Sequence, residues 1–157
     1  MHDEHLSKMK AGGVQVEKTL GSGQLKVFAS EQTYVKDEVF VVDRMYSLLE
    51  QSLANASKGK FKAVRTLGDM EWALKNFPGT DDLMCYEAKV NIMAPHYDCT
   101  LLCGYDVNRI SGRTIADILA THSHIILNGR IRENPYFVDP LTFLKNFALR
   151  RRTMDHL

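Results

Sequence analysis

The sequence predicts an α/β fold with a mostly parallel sheet flanked by helices, and three observations carry that reading. Between Asp98 and Asp106 lies the apolar run Cys99-Thr100-Leu101-Leu102-Cys103, which is strand length and too short for a globular helix. A loop with Asn108 and Ser111 follows, and then Ile115, Ile118 and Leu119 recur at helical spacing between Gly112 and His122. Strand-like and helix-like stretches then alternate along the rest of the chain, the pattern from which parallel sheets are built.

The elements can be justified in order. Residues 1–13 read as a frayed helical lead ending at Gly12-Gly13. Residues 14–20 are ambiguous, Gly21-Ser22-Gly23 is a turn, and Leu25, Val27 and Ala29 alternate as in a strand over 24–29. Residues 30–41 connect. Asp43 is a candidate N-cap for a helix carrying Met45, Leu48, Leu49, Leu53 and Ala56, closed near Gly59. A strand is predicted over 61–67 and a short helix from Asp69 through Trp72 and Leu74, stopped by Phe77-Pro78-Gly79. Thr80 is a candidate cap for a helix running to Ala94, where Pro95 ends it. The central strand and its helix follow. Residues 124–128 read as another parallel strand and 130–138 as a polar loop. Asp139-Pro140 starts a last helix whose final turn holds Arg150, Arg151 and Arg152.

The bulk numbers exclude several classes. A chain of 157 residues suits one domain with a real core, so 1–157 is read as a single domain with 139–157 as its terminal helix. A net charge of +1 gives no strong field toward nucleic acid or an anionic membrane. No apolar run approaches the roughly 20 residues of a membrane span. The first residues lack a signal-peptide pattern, so a cytoplasmic location is expected. Cys85, Cys99 and Cys103 are an odd set, which argues against a disulfide framework. In an extended strand Cys99 and Cys103 sit about 13 Å apart, too far for a bond.

Two charged residues break their local patterns. Glu87 shares a helical stripe with Leu83, Tyr86, Val90 and Met93, and Arg65 alternates with Phe61, Ala63 and Leu67. Unpaired buried charge is costly. The expectation is that Arg65 and Glu87 lie near each other or line one polar pocket. A further group follows strands and opens helices: Asp69, Trp72, Tyr105, Asp106, Arg109, Arg130, Glu133 and Asn134. Ligands of parallel sheets sit at that strand edge. Asp69 serves as well as a helix cap, Trp72 as a core anchor, and Asp106 and Asn134 as turn formers. His122 and His124 invite a metal reading, but residues preceding a parallel strand lie at the opposite edge from Asp69 and Tyr105, and no third ligand is apparent. No metal or other cofactor is expected. The sequence has no phosphate loop, dinucleotide fingerprint, G-x-S-x-G or paired C-x-x-C.

The segments 65–72, Tyr86-Glu87, Cys103-Gly104-Tyr105-Asp106, His122 and Glu133-Asn134-Pro135-Tyr136 together resemble the MEDS domain, the methanogen/methylotroph sensory domain, over about residues 12–136. The resemblance implies a three-layer fold similar to the RecA/KaiC-like ATPases without a working nucleotide loop. It implies a sensory role toward small hydrocarbon-derived or one-carbon compounds, often beside kinase or DNA-binding modules. Carried over, the motif positions are Arg65, Asp69, Trp72, Glu87, Cys103, Tyr105, Asp106, His122 and Asn134. The family's opening strand-helix-strand segment has no counterpart here. An edge so exposed needs cover, so a homodimer or larger assembly is expected. The leading function is a non-catalytic sensory or regulatory module that binds a small molecule or a signalling partner. The alternatives are a small enzyme or thiol redox sensor using Cys103 and Asp106, and a structural interaction protein.

Overall fold

A computed structural model describes residues 2–59 and 61–154. Among the described residues, six α-helices and four strands order the chain. They are α1 (His2–Ala11), α2 (Val16–Gly21), α3 (Val42–Ser57), β1 (Val64–Asp69), α4 (Leu83–Met93), β2 (Cys99–Gly104), α5 (Gly112–Thr121), β3 (His124–Leu127), β4 (Arg130–Glu133) and α6 (Pro140–Met154). The end of the expected terminal helix, residues 155–157, lies outside the described residues, as does Met1 of the lead helix.

α4 is the hub. Its sequence is apolar nearly all round, and Leu83, Met84, Tyr86, Ala88, Val90 and Met93 are all buried. A helix of that kind belongs inside, and α4 packs against α3, α5 and α6. Beside it Trp72 is held between Tyr34, stacked at 5.1 Å, and Phe40 at 5.0 Å. Two glycines permit this packing. A Cβ on Gly68 would lie 2.4 Å from the Tyr34 hydroxyl, and one on Gly79, where φ is +85°, would lie 2.1 Å from the Phe40 carbonyl.

The expected single parallel sheet is instead two small ones. β1 and β2 pair in parallel, from Val64 opposite Cys99 to Asp69 opposite Gly104. β3 and β4 form a separate antiparallel hairpin. The predicted polar loop at 130–138 therefore contains a strand. Asn128 and Gly129 both take positive φ, the backbone of a tight two-residue hairpin turn. The predicted strand at 24–29 is absent. Leu25, Val27 and Ala29 do turn partly inward, but no neighbouring strand supplies a ladder there.

Smaller corrections have local causes. β1 starts three residues later than expected. Asp43 is not the cap of α3, whose N-cap is Val41, and its carboxylate binds Lys89 at 2.9 Å. Thr80 opens a 3₁₀ turn over Thr80–Asp82, and its hydroxyl donates to the Phe77 carbonyl. Asp139 does cap the last helix, accepting from the Thr142 amide at 2.9 Å.

Candidate functional site

One buried polar cluster sits where α4 meets β2. The Glu87 side chain leaves the inner face of α4 and is 3% exposed, and so is almost wholly removed from water. β2 alternates, so Cys99, Leu101 and Cys103 turn toward the helices while Thr100 and Leu102 face outward. Cys103 Sγ donates to Glu87 Oε2 at 3.5 Å, and the Tyr105 hydroxyl donates to Glu87 Oε1 at 2.8 Å. His122, just past the end of α5, brings Nε2 to 3.9 Å from Glu87 Oε2 and sets its ring edge-on to Tyr105. Its Nδ1 lies 2.7 Å from the Ile118 carbonyl. A carbonyl only accepts, so Nδ1 carries the hydrogen, and in the neutral ring the Nε2 lone pair faces the carboxyl.

Burial pushes the Glu87 carboxyl above its ordinary range, against the pull of His122 and the two donors. Burial and the nearby Glu87 together push the Cys103 thiol well up, and burial does the same to the Tyr105 phenol. Two asparagines frame the cluster. Asn91 Nδ2 donates to the carbonyls of Glu87 and Thr121, at 2.9 and 2.7 Å. Asn134 Nδ2 donates to those of Leu119 and His122, both at 2.7 Å.

Glu87, Cys103 and His122 also form a set that could hold a metal ion, with ligand atoms all within 4.8 Å of one another. The 3.5 and 3.9 Å separations at Glu87 Oε2 approach the roughly 3.3–3.5 Å between ligands of tetrahedral zinc, given bonds of about 2.0–2.3 Å. A histidine whose other nitrogen donates to a backbone carbonyl is also oriented as metal-binding histidines usually are.

A second feature lies just outside. At the C-terminal ends of β1 and β2 a cavity of about 330 Å³ is lined by Glu4, His5, Leu67, Asp69, Glu71, Gly104 and Asp106. Asp69 Oδ2 is 3.1 Å from His5 Nε2, and Oδ1 accepts the Glu71 amide at 3.0 Å. Partial burial raises the Asp69 carboxyl, but those two hydrogen bonds outweigh it and hold it below its usual value. Arg109 pairs with Glu71 across the same rim. Asp106 accepts from the Asn108 amide at 3.0 Å.

The parallel pairing thus brings Asp69, Tyr105 and Asp106 together, but the rest of the expected set scatters. Arg65 is exposed on the outer face of β1 with Leu67, because Val64, Thr66 and Gly68 take the inner positions. It does not meet Glu87, whose partners are Tyr105, Cys103 and His122. Trp72 is a core residue, 3% exposed, with no hydrogen-bond partner for its indole nitrogen among the described residues. Asn134 is buried as a strut between α5 and the hairpin. Arg130 and Glu133 lie on the exposed hairpin, away from the sheet edge. His122, a motif position of the family resemblance, lies elsewhere than its place before a parallel strand implies. It was placed at the far edge on the assumption that β3 continues the parallel sheet, and that assumption fails. His5 was missed as well, since only the fold brings α1 to Asp69.

Comparison with known proteins identifies the family. The family model for the methanogen/methylotroph, DcmR sensory domain matches residues 1–123. The chain is 33% identical over 79 residues to the transcriptional repressor DcmR of Methylorubrum extorquens (strain DSM 6343 / CIP 106787 / DM4). That stretch is 50% of this chain and 30% of the repressor, so the match spans less than a third of that protein. No solved structure matches at a significant level. The MEDS family match extends over Glu87, Cys103, Tyr105 and His122, and the chain belongs to that family.

Proposed function

We propose that this domain is a non-catalytic sensory module that binds a small molecule in the cavity at the ends of β1 and β2 and reads it through the Glu87 cluster. One observation carries the reading. Tyr105 follows cavity-lining Gly104 and precedes cavity-lining Asp106, and its hydroxyl reaches inward to the buried Glu87 carboxyl. A ligand that shifts this short segment changes the hydrogen bonding of a buried carboxyl, where small displacements cost the most. The family supports a sensory role, and the repressor relative supports a regulatory one. A raised Cys103 pKa argues against thiol catalysis, which needs the thiolate. The ligand class suggested by the family resemblance is a small one-carbon or hydrocarbon-derived compound. We further hold that a second copy of the chain covers the open parallel sheet.

The test is a thermal-shift and native mass-spectrometry panel of short alcohols, methylamines and small halogenated hydrocarbons. At least one compound should raise Tm in the parent, with the shift lost in Tyr105→Phe and Asp106→Asn. A panel without any binding, or one whose shifts survive both substitutions, removes the reading.

The ligand-atom spacing favours a second reading, in which Glu87, Cys103 and His122 bind a divalent metal. Cobalt(II) added to the metal-free protein should give a thiolate-to-metal absorption band that Cys103→Ser abolishes. A spectrum unchanged by cobalt would exclude it.

A further inference from the structure

The strands do not enclose the proposed ligand cavity by themselves. Resting on the reading that a small molecule occupies it, we propose that α1 is the lid of this cavity, hinged at Gly12-Gly13 and latched by His5 on Asp69.

Two of the residues around the cavity, Glu4 and His5, belong to α1, and the others come from β1, β2 and the turns that follow them. Without α1, what remains is an open shelf at the strand ends. Yet α1 is loosely held. None of its described side chains is fully buried, and its one extensive contact among the described residues is with α2, its neighbour in sequence. A ten-residue helix is marginal in water on its own. Lys8 pairs with Glu4 at 2.8 Å inside the helix, and Lys10 pairs with Glu17 of α2. Neither pair reaches the strands, and exposed pairs of this kind contribute little.

Among the described side chains, the polar tie from α1 to the strands is His5 Nε2 on Asp69 Oδ2 at 3.1 Å. The two side chains are 43% and 35% exposed, so water replaces this contact at low cost when it breaks. Asp69 does not depend on the latch for its position, because its Oδ1 accepts the Glu71 amide at 3.0 Å. Opening therefore frees Oδ2 toward the cavity and leaves the carboxylate in place. The hinge is built for rotation. Gly13 takes φ +88°, and a Cβ there would meet nothing within 4 Å. Its backbone needs glycine, but no neighbour wedges it, which suits a residue that absorbs a change of dihedral angle. A wall attached by a glycine pair and one partly exposed hydrogen bond moves more readily than the strands it faces.

Trypsin cleavage of the full chain after Lys8 and Lys10, followed by mass spectrometry, reads the opening. Proteolysis tracks the population of an open form when opening is rapid. His5→Ala should be cut about 2- to 5-fold faster than the parent, the range that loss of an exposed polar pair allows. Alanine is the better helix former, so a helix that merely frayed would be cut more slowly in this variant. His5→Gln keeps an N–H donor and should return close to the parent rate. Methanol, methylammonium chloride and dichloromethane serve as probes of the cavity. A probe that raises Tm should slow cleavage of the parent, and slow it less in His5→Ala. Cleavage of His5→Ala at or below the parent rate overturns the lid and leaves the ligand reading in place. So does a bound probe that leaves the cleavage of the parent unchanged. Faster cleavage of His5→Ala with no probe bound keeps the latch and counts against the ligand reading alone.

Discussion

Glu87 places a carboxyl where water is all but excluded, and among the described residues Tyr105, Cys103 and His122 meet it. Burial raises its folded pKa above the unfolded value. Such a group leaves stability intact at pH below the unfolded carboxylate range and takes it away as pH rises through the folded pKa. Each unit of raised pKa corresponds to about 1.4 kcal/mol. Glu87→Gln keeps the shape and removes the charge. Its Tm should therefore sit below or near that of the parent at pH 4 and gain on it steadily toward pH 8. Parallel melting curves across that range check the trend, and a constant difference would mean Glu87 is ionised and satisfied in the fold. The unusual placement of Glu87 is legible in the sequence, because its spacing from Leu83 and Val90 puts a charge on an apolar stripe. Its partners are not legible, because Cys103, Tyr105 and His122 reach it from other elements.

At the scale of elements, the end of α5 is fixed by side chains rather than by its own backbone. Asn134 donates to the Leu119 and His122 carbonyls, accepts the Tyr136 amide, and so pins His122 toward Glu87. Asn134→Ala removes three hydrogen bonds of about 1 kcal/mol each, while the Leu119 carbonyl keeps the His122 amide as a donor. Chemical denaturation should show a loss of roughly 2–3 kcal/mol. Histidine NMR signals should show His122 perturbed more than His96. A stability unchanged by the substitution would demote the strut to a surface turn. Element identities were mostly readable: α3, α4, α5 and α6 follow from apolar spacing, and Asp139-Pro140 announces its helix. The hairpin had a signal too, Asn128-Gly129 directly after the apolar residues 125–127, which the polar residues that follow masked.

For the whole molecule, the β1–β2 pair backs onto the helical core, the β3–β4 hairpin stands largely apart from it, and each leaves an apolar pair in water. Pairs this small gain stability mainly from what covers them. If a second copy supplies the cover, Tm should rise with protein concentration, since association stabilises only the folded chain. Scanning calorimetry at about 5 and 200 µM should separate by a few degrees for the parent and coincide for Leu102→Asp, which puts a charge on the open face. No helix among the described residues is long and apolar enough to cross a membrane, in keeping with the sequence.

The sequence by itself determined α3 to α6, the parallel direction of β1 and β2, and the placing of Asp69, Tyr105 and Asp106 at one strand edge. These follow from periodicity and from the connections a right-handed chain can make, which are local or nearly local rules. Only the tertiary structure decided which face of β1 is buried, that β3 leaves the sheet for a hairpin, and that His122 rather than Arg65 faces Glu87. Those outcomes depend on strand register and on helix placement. Alternation says that Arg65 and Leu67 share a side, but only the packing of α4 says which side is the inside.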